Sequence, residues 1–353
     1  MSTTLPTSQK ALYLPAVKQP LVIKDAPVRQ PSAGEVLVRN ESVALNPIDW
    51  KLQASLMPRK LSDFPLILGY DGSGVVVSIG DDVANVKVGD RVFYEGELGG
   101  NGENATFQQY TIVPAHLVGK VPSNISFDQA ATLPVGLATA AVGLYQDKFE
   151  FGGAGLLAPW LDGGRGRYTN EPIFIIGGAA CTGQAAIMFA KLSGFNPIIT
   201  TSSPHNFALL KSLGADYTLD RNENLRSVEA YTTLPLYNAF DAVGSAESQT
   251  VAQRVLSPGG TLISVHPNSI PHAKQDISKK ILFMWGSMHS PQNKKLATNL
   301  FESIYGLLES GDIKPNNVEY VPGGLNAVEN QLKHLQRGEV SGKKIIVRPS
   351  ETV

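Results

Sequence analysis

A single cysteine, Cys181, stands in 353 residues. That excludes a disulfide framework and any multi-cysteine zinc site within the chain. The six histidines show no H-x-x-x-H or comparable ligand spacing, so no metal is expected. A formal net charge of -1 gives no electrostatic reason to bind nucleic acid or an anionic membrane. Long hydrophobic runs are missing too. The most apolar window, Ala130 to Tyr145, is interrupted by Pro134, Gly136, Thr139 and Gly143 and is short for a membrane span. The opening MSTTLPTSQK lacks the apolar stretch of a secretory signal, and the expected compartment is the cytoplasm. No internal repeat or low-complexity tract is present. With 42% hydrophobic and 17% charged residues the composition is that of a compact chain. Its length calls for roughly two domains.

What is present is organised around Ile173 to Phe195, which reads as strand, glycine turn and helix in immediate succession. Ile173 to Ile176 is a short β-branched run between Pro172 and Gly177, the signature of a buried parallel strand. Gln184 to Leu192 carries a helical pattern that Gly194 ends. Between them, Gly178-Ala179-Ala180-Cys181-Thr182-Gly183 fits the dinucleotide turn G-x-G-x-x-G with alanine in the middle place. Such a turn brings backbone close to a pyrophosphate and aims helix N-terminal amides at the anion.

Asn196 to Ser203 reads as the next strand. It ends about 20 residues past the turn, where an NAD site places an acid on the ribose 2′-hydroxyl. Here that place holds Ser202-Ser203-Pro204-His205-Asn206. A carboxylate would repel a 2′-phosphate, whereas hydroxyls, an amide and an imidazole donate to it. The expected cofactor is NADPH. The alternative is that Ser203 and Asn206 only cap the helix that follows.

The flanking regions differ in style. From Ala11 to Gly119 short alternating runs predominate: Leu21 to Ile23, Glu35 to Glu41, Gly74 to Ile79, Asp90 to Tyr94 and Phe107 to Val113 read as strands of an antiparallel β domain. From Phe127 the pattern turns helical, through FDQAATLPVGLATAAVGLYQ. Further βα signals follow: Phe207 to Leu213 as helix, then Tyr217 to Asp220, Ala239 to Val243, Thr261 to Val265 and an edge strand Leu282 to Trp285. That alternation predicts a doubly wound parallel sheet. Leu296, Leu300, Ile304, Leu307 and Leu308 share one helical face, and Lys344 to Arg348 reads as a strand rejoining the first sheet. The segment Phe149 to Glu171 is long, glycine-rich and aperiodic. It reads as a mobile surface insertion or a substrate lid, with Phe151, Trp160 and Tyr168 as pocket-lining or anchoring aromatics.

The order of motifs resembles the medium-chain dehydrogenase/reductase superfamily: Ala44 to Lys51 (ALNPIDWK), Leu68 to Gly80 (LGYDGSGVVVSIG), Val86 to Phe93 (VKVGDRVF), the glycine turn and Ser341-Gly342-Lys343. Its zinc enzymes carry a catalytic cysteine at the place of Asn46 and a histidine at Tyr70; neither is present, which argues against zinc chemistry. Within it the chain is most similar to the zinc-free fungal branch of trans-acting enoyl reductases and to quinone oxidoreductase-like members. Shared pieces are Asn46-Pro47 with Asp49 and Lys51, Leu133-Pro134 with Gly136 and Thr139, Gly177-Gly178, Ser203-Pro204-His205-Asn206-Phe207, and Gly338-Glu339 with Ser341-Gly342.

The resemblance implies an α/β protein with a GroES-like β domain over 1–135, a Rossmann NADPH domain over 136–290 and a C-terminal return over 291–353. It implies hydride transfer from NADPH to a polarised carbon–carbon double bond, in an enone, an enoyl thioester or a carrier-bound polyketide. A quinone or aldehyde reductase, and a non-catalytic NADPH-binding protein, are the alternatives. Lys51 and Thr139 would sit at the reacting centre, with a proton donor unassigned between Tyr70, Tyr94 and solvent. Ile48, Asp49, Lys51, Gly178, Ala180, Cys181, Thr182, Gly183, Ser203, His205, Asn206, Arg221, Val265, His266, Val340 and Ser341 would hold the cofactor. Arg221 replaces that branch's tyrosine and trades ring stacking for charge. Taken alone, Lys51 reads as a solvated lysine, Asp49 as an Asx turn, Thr139 as a helix-bonded hydroxyl and Cys181 as turn filler. His266 reads at least as well as structural. The assembly is expected to be a monomer or homodimer.

Overall fold

The computed structural model describes residues 5–56, 64–97, 102–223, 228 and 230–353. The first four residues, where no signal segment is expected, lie outside that description. Two compact units result: Met1–Pro134 with Ile304–Glu309 and Pro315–Val353, and Val135–Ser303 with Ser310–Lys314.

The first unit is built on β-structure. A three-stranded antiparallel sheet runs β2 (Val22–Pro27), β1 (Ser8–Leu14), β4 (Leu66–Ile67). A seven-stranded sheet contains β3 (Glu35–Ala44), β5 (Asp71–Ile79), β6 (Arg91–Glu95), β7 (Tyr110–Pro114), β8 (Val118–Lys120), β15 (Asn317–Tyr320) and β16 (Lys343–Val347). Alternation places Val36, Val38, Val76, Val92, Val113 and Val118 in one buried cluster, each worth about 1.5–3 kcal/mol on removal from water. β16 pairs antiparallel with β3 through Ile346 and Ala44, so the chain's end does rejoin its beginning. Asp49, which taken alone reads as an Asx turn, lies instead in helix α1 (Pro47–Gln53). Pro47 stands in its first turn, where the missing N–H costs nothing.

The second unit has a six-stranded parallel sheet in the order β11, β10, β9, β12, β13, β14, the doubly wound order. Its strands are β9 (Ile173–Ile176), β10 (Ile198–Ser202), β11 (Tyr217–Asp220), β12 (Asn238–Asp241), β13 (Thr261–Ser264) and β14 (Lys280–Phe283). Central β9 is buried at every position, as a strand covered on both faces must be. The helical stretch after Phe127 is broken into α2 (Phe127–Ala130), capped by Ser126, and α3 (Pro134–Tyr145). Pro134 is the reason: it cannot donate to a preceding turn and disfavours helical Leu133. The α3 sequence is apolar all round and correspondingly buried. Helices α4 (Cys181–Ser193) and α5 (Phe207–Leu213) end at Gly194 and Gly214, both with positive φ. One element the pattern does not announce is α6 (Ala246–Val255), because its buried face carries Gln249 and Gln253 beside Ala252. Helices α7 (Lys294–Glu309) and α8 (Val328–Gln336) complete the chain. The return to the first unit falls inside α7, at Ile304, later than position 291.

The 149–171 segment is not a loose insertion. Gly166 and Tyr168 donate N–H bonds to Leu192 and Ser193 carbonyls at 3.0 and 2.8 Å, satisfying the end of α4. The Tyr168 ring stacks on Phe195 at 4.9 Å and Trp160 meets Tyr145 and Phe189 at 5.1 and 5.2 Å. Trp160 and Tyr168 are therefore anchors. They hold the end of α4 opposite the glycine turn, about 20 Å away at 1.5 Å per residue. Only Phe151, edge-on to Phe283 at 5.7 Å, lies at the carboxyl end of the sheet.

Candidate functional site

The glycine turn leaves β9 with Gly177 at φ 76°. Thr201, on neighbouring β10, secures it: its hydroxyl accepts the Gly177 N–H at 3.1 Å and its carbonyl the Gly178 N–H at 3.0 Å. A Cβ on Gly178 would lie 2.2 Å from the Thr200 hydroxyl, and one on Gly183 would lie 2.3 Å from the Gly177 carbonyl oxygen. Gly183 is thus required by backbone packing and Gly178 by the buried Thr200 side chain. Ala180 stands at the N-cap of α4 without a side-chain cap. Its methyl has no oxygen to offer the first-turn amides, which suits an external anion. Cys181 and Thr182 open the helix, partly exposed.

The parallel register of β10 and β11 sets Ser202 opposite Asp220, and the Arg221 N–H donates to the Ser202 carbonyl at 3.0 Å. That brings exposed Arg221 beside Ser203, two positions remote in sequence. His205 is exposed in the short 3-10 turn that follows, while Asn206 is buried. Neither Ser203 nor Asn206 makes the side-chain cap bond that the alternative reading calls for. Val265 and His266 follow β13, half-buried. There the Gly244 Cα approaches the His266 ring so closely that a Cβ would lie 2.5 Å from it. Thr139 lies on α3, one turn after Gly136, whose Cβ would meet the Cys181 carbonyl at 3.2 Å; Gly286 packs so closely on Thr139 that a Cβ there would lie 2.8 Å from the Thr139 Cα.

Sequence reasoning missed the residues that hold these loops. Asp241, fully buried at the end of β12, accepts from the Val243 and Gly244 amides at 2.9 and 3.0 Å and from the Ser248 hydroxyl at 2.7 Å. Gln249 bonds the Ser264 hydroxyl and the Pro267 carbonyl, both at 3.0 Å, which fixes the loop of His266. An aspartate closing a strand before glycine was the available signal.

In the first unit, α1 carries Ile48, Asp49 and Lys51. Lys51 is half-buried, and burial pushes its ammonium below the ordinary lysine range. Asp49 is 0% exposed, and its Oδ2 accepts the Asn46 N–H at 2.8 Å, so it starts the helix from within. Val340 and Ser341 precede β16. Tyr94 is buried with its hydroxyl donated to Asn40, and burial pushes the phenol up, so it is no ready acid.

Burial, with the Asp71 charge adding to it, raises Asp49 from 3.8 to about 8, against the opposing Asn46 amide and Lys344. The unfolded chain releases this proton at a lower pH than the native one. Its contribution to stability is therefore complete below the unfolded value and lost as pH rises to about 8. Denaturant unfolding across pH 5–9 is expected to show stability falling toward pH 8 and a shallower fall in Asp49→Asn; equal slopes would contradict this.

Residues 32–123 match the alcohol dehydrogenase GroES-like domain family and residues 181–285 the zinc-binding dehydrogenase family. A trans-enoyl reductase, opdC, of Penicillium oxalicum is 30% identical, over 97% of this chain and 97% of its own. The enoyl reductase component of lovastatin nonaketide synthase, lovC, of Aspergillus terreus is 29% identical with the same coverage. Among solved structures, a quinone oxidoreductase of Pseudomonas syringae pv. tomato superposes with a TM-score of 0.74 at 25% identity, covering 96% of this chain and 99% of that one. The zinc in one family's name does not suit the donors present here. Asn46 gives its amide N–H to Asp71 at 2.8 Å, and no group of three or more potential ligands exists among the described residues.

Proposed function

Because this chain belongs to the medium-chain dehydrogenase/reductase superfamily, with fungal trans-enoyl reductases among its relatives, we propose that it reduces an activated carbon–carbon double bond at the expense of NADPH. The observation that carries the reading is the second unit's cradle: a turn with no room for side chains at Gly178 and Gly183, running into an α4 with no side-chain cap. A Rossmann unit that uses a nicotinamide nucleotide fits this cradle.

The phosphorylated form is favoured by the strand end at Ser202 and Ser203, with Arg221 alongside. In this reading Gly178, Ala180, Cys181, Thr182 and Gly183 hold the pyrophosphate, and Ser203, His205, Asn206 and Arg221 serve the 2′-phosphate. Val265, His266, Ile48, Asp49, Val340 and Ser341 complete the cofactor's surroundings. The bound nucleotide supplies a hydride. The protein's part is orientation and a donor for the negative charge that grows on the acceptor's carbonyl oxygen. The Lys51 ammonium and Thr139 hydroxyl take that role, and the α-carbon then takes up a proton. The acceptor is an enone or enoyl thioester, free or borne by a carrier, and the reaction is cytoplasmic.

A panel of NADPH oxidation with crotonyl-CoA, 2-cyclohexen-1-one, a benzoquinone and an aldehyde tests this. Turnover confined to the first two supports it; preference for the quinone would favour the second reading, to which the Pseudomonas syringae likeness lends weight. Arg221→Ala is expected to weaken NADPH by about 1–3 kcal/mol and NADH hardly at all, as for a charge-assisted contact to phosphate. Equal weakening of both nucleotides in fluorescence titration would make Arg221 structural.

A further inference from the structure

A second charged cluster lies in the first unit, away from any surface. Asp71 opens β5 and Lys344 lies in β16; the two strands flank β3, and the side chains form an ion pair. Asp71 is 0% and Lys344 3% exposed. The same carboxylate oxygen, Asp71 Oδ2, accepts the Asn46 side-chain amide at 2.8 Å. Asn46 in turn begins α1, and its own N–H is held by Asp49 at 2.8 Å. The backbone repeats the link, since the Leu45 N–H donates to the Ile345 carbonyl at 3.1 Å.

Such a pair is a poor device for stability, because desolvating two charges cancels most of their attraction and apolar replacements of similar volume are often neutral. What it supplies is direction. An ion-paired carboxylate has one orientation, and the amide bonded to it inherits that orientation. Asn46 stands five residues before Lys51 on a helix of under two turns, so the angle at which α1 leaves β3 determines where the Lys51 ammonium stands.

We propose that Asp71, Lys344 and Asn46 are positioning residues that set the exit of α1 and thereby hold Lys51 in its half-buried place. The proposal rests on the reading of Lys51 given above for its catalytic meaning, but its geometry can be measured without turnover. Competitive acetylation with acetic anhydride, read at each lysine by mass spectrometry, reports the local setting of Lys51. In the intact protein Lys51 is expected to differ from the exposed lysines. In Asn46→Ala, which leaves the ion pair in place, and in the double variant Asp71→Leu/Lys344→Met, its rate constant corrected for the protonated fraction should rise about fivefold or more as the amine becomes more accessible, while better solvation moves its pKa up toward that of the exposed lysines.

Far-UV circular dichroism and the unfolding midpoint show whether each variant is folded. Should the double variant not fold, Asn46→Ala decides alone. A Lys51 rate unchanged within about twofold in folded Asn46→Ala overturns the proposal. Lys344→Arg with Asp71→Glu, which keeps the pair, should restore the slow rate; failure to restore it also counts against the assignment. Lys51→Ala separates this from the functional reading. If that variant binds NADPH and turns over 2-cyclohexen-1-one normally, Lys51 has no catalytic part, while the labelling result still settles whether the cluster positions it.

Discussion

Gly183→Ala is expected to abolish measurable nucleotide binding and to destabilise the protein by about 1–3 kcal/mol, the usual cost of overpacking. Alanine inside a helix ordinarily gains about 1 kcal/mol over glycine, so the expected sign is reversed. The reversal comes from atoms that cannot move cheaply: the new methyl would lie 2.3 Å from the Gly177 carbonyl oxygen and 2.8 Å from the Gly178 Cα. Relieving the clash means pushing α4 off the end of β9, and with it the amides offered to the pyrophosphate. Gly306→Ala is the control, since nothing lies within 4 Å of its Cβ position on the exposed side of α7. It should raise stability by about 0.5–1 kcal/mol and leave binding alone. Chemical denaturation and NADPH titration of both variants measure the contrast. Two variants that both stabilise would show that the turn tolerates a side chain and that the cradle has been misread.

Ser203→Asp is expected to shift the NADPH:NADH affinity ratio by about a hundredfold toward NADH, near 2.7 kcal/mol. Ser203 follows β10, at φ -71° and ψ 144°, in extended backbone that an aspartate adopts without strain. The introduced carboxylate would face the 2′-phosphate with like charge and would accept from a free ribose hydroxyl. Arg221 would then have a protein carboxylate as its nearest anion, weakening its hold on the nucleotide further. Titrations of the variant with both nucleotides decide it. A ratio that does not change would place the adenosine ribose somewhere other than the end of β10 and would remove the ground for choosing the phosphorylated cofactor.

Sequence and structure agree best where the signal is local. Ile173–Ile176, Phe207–Leu213 and Tyr217–Asp220 have the bounds that their runs predict. The differences have separate causes. Helix α1 was hidden because seven residues are too few to show a 3.6-residue period, and α6 because glutamines occupy its buried face. The 149–171 segment lacks periodicity because its role is to present backbone N–H groups and two aromatic rings to the end of α4, which requires no repeat.

The sequence by itself determined the two-part plan, the doubly wound sheet, the glycine turn and the absence of an acid at the second strand's end. Each is assembled from short local runs, where side-chain period and turn chemistry act directly on the backbone. Only the tertiary structure decided that Arg221 stands beside Ser203, through the register of β10 with β11. Only it joined Lys344 to Asp71 across 273 positions of chain. Strand register and the burial of charge depend on which distant segments pair, and no local pattern encodes that choice.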